Sequence, residues 1–104
     1  MVSNARRLSR EDACRQVRDC VVRGDVILTK HFRDELQNEG LAVADAFYVL
    51  QHGSVFSEPE FSPRYQEWNY RMEGVEPDGQ SVAIIFGFTS DETGLLITIF
   101  SIGN

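Results

Sequence analysis

No apolar run in this 104-residue sequence approaches the ~18 residues a membrane-spanning helix needs, so no membrane partner is expected. The first ten residues hold three arginines (Arg6, Arg7, Arg10) with no apolar stretch behind them, unlike a secretory leader. Cysteine is scarce, with only Cys14 and Cys20. On one helix those two would stand about 9 Å apart along the axis and on different sides, too far for a mutual disulfide. No Cys-x-x-Cys pair occurs, which leaves zinc and thioredoxin-type chemistry without support. Two unbridged cysteines fit small core residues in a reducing, cytoplasmic compartment. A Gly-rich phosphate loop, a nucleophile elbow, a Cys/His nucleophile pair and a metal-ligand spacing are also missing. Neither metal nor cofactor is expected.

What is present describes one α+β domain over residues 1–104. Hydrophobic residues at 42% and charged residues at 25% are close to the globular average, and eleven aromatics are too many for a disordered chain. The net charge of −6 is unevenly distributed. Residues 1–33 carry eight Lys/Arg and four Asp/Glu, or +4, which leaves −10 for residues 34–104. A basic N-terminal helix on an acidic body either contacts phosphate or pairs with its own protein.

Ser9 followed by Arg10-Glu11-Asp12 reads as a helix cap, and Ala13, Val17, Cys20 and Val21 recur at helical spacing until Gly24. Val26–Leu28 reads as a short strand. Thr29 caps a second helix with Phe32, Leu36 and Leu41 inward and Gly40 at its end. A third helix spans Val43 to His52, burying Ala46, Phe47, Val49 and Leu50, and Gly53 closes it. The period then changes from 3.6 to 2. Strands are expected over Ser54–Glu58, Tyr65–Glu73, Val82–Phe88 and Leu95–Ile102, with a Pro77-Asp78-Gly79 turn. These form a four-strand antiparallel meander, and the helices pack on one side of the curved sheet. Val82–Phe88 is apolar on both faces, which predicts a central strand covered from both sides.

Within Tyr65–Glu73, Trp68, Tyr70 and Met72 share one face while Glu67, Asn69, Arg71 and Glu73 share the other. That polar face either meets water or uses Arg71 to hold a phosphate or an anionic transition state. Arg64 precedes it in a loop, where residues more often recognise ligands. His31, in the first turn of the second helix, is either a general acid or base or a surface residue. His52 beside Gly53 fits a residue favoured by a helix C-terminus.

Ordered along residues 25–102, these features resemble a family of small bacterial domains related to the BrnT and RelE/ParE-type toxins. His31 opens a helix, a Gly40-Leu41 break follows, and the next helix ends in Leu50-Gln51-His52-Gly53. Glu58 follows the next strand, and Tyr70-Arg71-Met72-Glu73-Gly74 forms the one after. Asp78-Gly79 then leads to an apolar strand and to Leu96-Ile97-Thr98-Ile99-Phe100. Phe32 stands where a small residue is usual, and Glu35-Leu36 and Glu39 stand where the family carries Arg-Met and Arg.

The resemblance implies a RelE/ParE-like fold and the toxin half of a type II toxin–antitoxin pair. Its activity would be metal-independent cleavage of RNA, with the ribose 2′-OH attacking the adjacent phosphate. It implies His31 as base or acid, Arg71 for the phosphorane, Arg64 as a further phosphate contact and Tyr70 as a lesser candidate acid. It also implies a small antitoxin partner that binds DNA. The other reading is a non-catalytic protein-binding module of the same fold.

Overall fold

Ser9 caps the first helix, its hydroxyl accepting a hydrogen bond from the Asp12 N–H at 3.0 Å. A computed structural model of the chain describes residues 6–63 and 66–103. The first helix, α1, runs Arg10–Arg23 and buries Ala13, Val17 and Cys20. It ends at Gly24, whose φ of +71° is open to glycine at little cost. The strand β1, Val26–Leu28, leads directly into Thr29.

Thr29 ties helix to sheet. Its hydroxyl accepts from the Phe32 N–H at 3.0 Å, capping the second helix, α2 (Lys30–Asn38). The same hydroxyl donates to the Ile97 carbonyl at 3.2 Å, and the Thr29 N–H donates to Leu96 at 3.2 Å. The third helix, α3, spans Val43–His52. Its Asp45 carboxylate accepts from the Ala42 N–H at 2.9 Å, half of a capping box built without a side-chain cap at Ala42.

After α3 come β2 (Ser54–Val55), β3 (Glu60–Ser62), β4 (Glu67–Val75), β5 (Ser81–Phe88) and β6 (Gly94–Ser101). The sheet order is β1-β6-β5-β4-β2, with β3 pairing β4 beside β2. All pairs are antiparallel except β1 with β6. The three helices, the meander and the Pro77–Gly79 turn lie where the sequence predicts them. The expected strand Ser54–Glu58 is shorter, and a separate β3 appears between Pro59 and Pro63. Proline lacks the N–H a ladder needs, so the two prolines confine that second strand to three residues. Tyr65, the expected start of β4, lies outside the described residues.

One core cluster fills the space between helices and sheet. Phe32 and Leu36 from α2, and Ala46, Val49 and Leu50 from α3, meet Tyr70 and Met72 of β4. Val82, Ile84 and Phe86 of β5, Leu96 and Ile99 of β6, and Leu8 with Ala13 and Val17 of α1 complete it. Register places all these strand residues on one face, since Met72 opposes Ile84 and Ile84 opposes Ile99. The double-sided cover expected for β5 takes a different form. Its helix-facing residues are covered by the helices, whereas Ala83 and Gly87 are buried on the other face under side chains of neighbouring strands. Small residues on β5 make a second layer unnecessary. Among the described residues no helix is long and apolar enough to cross a membrane.

Gly53 joins α3 to β2 at a close approach of backbones. A Cβ there would sit 2.5 Å from the Glu73 carbonyl oxygen and 2.8 Å from that of Val49. Gly40, by contrast, has a φ of +70° with open space around it. Urea unfolding is therefore expected to show Gly53→Ala losing about 2–3 kcal/mol through overpacking. Gly40→Ala should lose only about 1 kcal/mol through its backbone conformation.

Candidate functional site

Alternation along β4 sends Glu67, Asn69, Arg71 and Glu73 to the sheet face that no helix covers. Register aligns Arg71 with Ile85 and Thr98, and Glu73 with Ala83 and Phe100. Glu60 of β3 opposes Asn69 and joins the same face. Three carboxylates, the Asn69 amide and one guanidinium thus share a surface whose remaining named residues are small or apolar.

Arg71 lies at the centre of this face. Its Nε donates to Glu73 Oε2 at 2.9 Å, with the two side chains 37% and 30% exposed. The guanidinium reaches across β5 to stand 5.3 Å from the centroid of the Phe100 ring. At this exposure the ion pair contributes ~0.2–1 kcal/mol, so its chief effect is to hold the guanidinium against the sheet.

At the Gly87 end the chemistry differs. A Cβ on Gly87 would lie 3.1 Å from the Trp68 carbonyl oxygen, with Asn69 Oδ1 and Glu67 Oε2 in ordinary contact at 3.6 and 3.8 Å. Asn69 Oδ1 is buried and accepts no hydrogen bond. Among the described residues Glu67 has no ion pair, and burial pushes its carboxyl above the usual range.

The other proposed site residues are dispersed. His31 is exposed on α2, whose buried residues face the helix-side core, and no hydrogen bond, ion pair or ring contact links it to Arg71. Tyr70, only 2% exposed, lies on the opposite face of β4 from Arg71. Its hydroxyl oxygen accepts from the Leu8 N–H at 2.9 Å, and burial pushes the phenol's pKa up. Arg64 lies outside the described residues.

The basic N-terminal third is largely paired with its own protein. Arg7 and Arg10 meet Glu58 at 2.7 and 3.4 Å, Arg15 meets Asp12, and Arg23 meets Asp19. Arg18 donates to the Leu50 carbonyl at 3.0 Å and the Gly53 carbonyl at 2.5 Å, closing the C-terminus of α3. The cysteines are free as expected, with Cys20 buried and Cys14 half-buried. Among the described residues no group of three or more His, Cys, Asp or Glu is placed to hold a metal.

Sequence reasoning found the polar stripe but missed Ala83, Gly87 and Phe100 as its floor. The available signal was two small residues at alternate positions of an otherwise bulky apolar strand. Because Glu67 is more easily protonated in the fold than in the unfolded chain, its stabilising contribution is full at low pH. That contribution is lost as pH rises through the raised folded value. Glu67→Gln should therefore gain stability over wild type at about pH 7 and lose that advantage near pH 3.5, as urea midpoints would show.

Comparison with curated proteins and with solved structures gives no match. Residues 28–101, from the end of β1 through β6, match the profile described as a domain of unknown function, DUF4258. The match leaves out α1 and most of β1 and covers β3 to β6, which carry the polar residues of the open sheet face and its floor. With well over half of its length matched, the chain belongs to the DUF4258 family.

Proposed function

We propose that this chain is a relative of the BrnT and RelE/ParE-type toxins. In this reading it is the RNA-cleaving half of a type II toxin–antitoxin pair, and the open sheet face is its working surface. The observation that carries the reading is Arg71, a guanidinium at the centre of an uncovered face with a titratable carboxyl, Glu67, on the same strand.

In the reaction the ribose 2′-oxygen forms a bond to the adjacent phosphorus as its proton leaves to a base. The P–O5′ bond then breaks, leaving a 2′,3′-cyclic phosphate, and the departing 5′-oxygen takes a proton from an acid. Arg71 stabilises the charge that develops on the pentavalent phosphorane. His31 is the proton carrier that the family resemblance implies, and Glu67 is the titratable group that shares Arg71's surface. Tyr70, enclosed in the helix-side core, is the weakest of the candidates. A small DNA-binding antitoxin is the partner this reading requires.

A second reading is a non-catalytic protein-binding module of the same fold. It is favoured by the bond from Arg71 to Glu73 and by the acids Glu60 and Glu67 around it, an arrangement that repels a phosphate backbone. Induction of the chain alone in growing bacteria separates the two. Under the cleavage reading wild type arrests growth, and folded Arg71→Ala loses activity by about 10²–10³-fold. His31→Ala or Glu67→Gln then falls by a similar factor, whichever carries the proton. Normal growth with soluble, folded wild-type protein removes the cleavage reading and leaves the binding module.

A further inference from the structure

A cavity of about 570 Å³ opens where the N-terminal segment and α1 meet the ends of β4 and β5. Its walls include Trp68, Tyr70 and Phe88, with Arg6, Glu67 and Glu92 as its charged residues. Tyr70 and Phe88 stand 5.9 Å apart at the ring centroids, so the apolar wall is continuous. Neither the Glu67 nor the Glu92 carboxylate makes a hydrogen bond or ion pair among the described residues.

Glu92 is held there by the backbone around it. Its φ of +65° is one that Gly or Asn adopts more readily, at a cost of about 1–2 kcal/mol for other residues. The turn is fixed nonetheless. The Glu92 N–H donates to the Thr89 carbonyl at 2.8 Å, the Thr89 hydroxyl accepts from the Thr93 N–H at 3.1 Å, and the Cys20 thiol donates to the Glu92 carbonyl at 3.3 Å.

We propose that this cavity is a seat for an arginine side chain of a partner protein, its guanidinium against the aromatic wall and bonded to Glu67 and Glu92. A planar cation with five N–H donors satisfies both needs at once, stacking on a ring while it forks to carboxylates. Lysine, a compact and strongly hydrated charge, matches only the second. Charge favours a cationic occupant over a nucleotide, because the two carboxylates of the lining outnumber its one guanidinium, Arg6. The chain's own Arg7 already stands 5.4 Å from the Trp68 ring, which shows that the neighbourhood accommodates a guanidinium. The seat goes beyond the cleavage reading and stands without it.

Trp68 is the sole tryptophan, so its fluorescence reports occupancy directly in the full chain. The probe is N-acetyl-arginine methylamide, compared with the lysine analogue and guanosine monophosphate. The expected result is a saturable change with the arginine probe, weaker with lysine. Its affinity should fall about tenfold in the Glu67→Gln, Glu92→Gln double variant, whose fold is verified by circular dichroism. Should that variant fail to fold, Glu92→Gln alone is expected to weaken binding by about threefold. No saturable change up to about 50 mM, unaltered affinity in the folded variant, or tighter binding of the nucleotide would each overturn the proposal.

Discussion

The structure depends on how a sheet with helices on only one side keeps its other side closed. A strand in the middle of such a sheet is shielded by helices on one face and only by its neighbours' side chains on the other. Here β5 solves the problem with size. Ala83 and Gly87 are small enough for the side chains of β4 to lie across them, and Arg71 spans β5 to reach Phe100. The polar stripe of β4 is thus at once the cover of the sheet and its chemically equipped surface. The same economy leaves Asn69 Oδ1 buried with no donor and Glu67 raised toward its neutral form.

A second constraint is where the positive charge goes. Most cations of the first third are paired within the fold, and three of them tie separate segments together. Arg7 and Arg10 secure Glu58, and Arg18 satisfies carbonyls at the end of α3. These contacts join α1, which lies outside the family match, to the segment around β2 that lies within it. After residue 33, Arg71 is the only described Lys or Arg, and it sits among carboxylates. Any anion bound on the open face must compete with Glu73, whereas any cation finds acceptors at Glu67 and Glu92. The two proposals therefore concern neighbouring places with opposite electrostatic demands, and a partner seated at one would restrict access to the other.

Much of this was legible from residue order because the signals were local. A Ser or Thr before a helix and a Gly after it announce ends through hydrogen bonds made within a few residues, and Ser9, Thr29, Gly24 and Gly40 did so. Period-two alternation correctly divided β4 into a Tyr70–Met72 face and an Arg71–Glu73 face. The bulge in β6 near Ile97, where the Thr29 cap also bonds, was not legible, because it depends on a partner nearly seventy residues away. Nor was β3, whose antiparallel pairing with Trp68 and Asn69 does not follow from any hydrophobic pattern of its own.

The amino-acid sequence by itself determined the helices, the meander, the helix-facing core and the presence of one polar strand face, since each follows from side-chain period and backbone chemistry over short spans. It also placed the negative charge in the last two thirds. Only the tertiary structure decided which side of the sheet stays open and that Tyr70 is locked to Leu8 in the core. It alone showed that Asn69 and Glu67 lie beside Gly87 and that Glu92 lines the aromatic cavity. Those outcomes depend on distances across strands and helices, and period and propensity carry no information about distance between residues far apart in the chain.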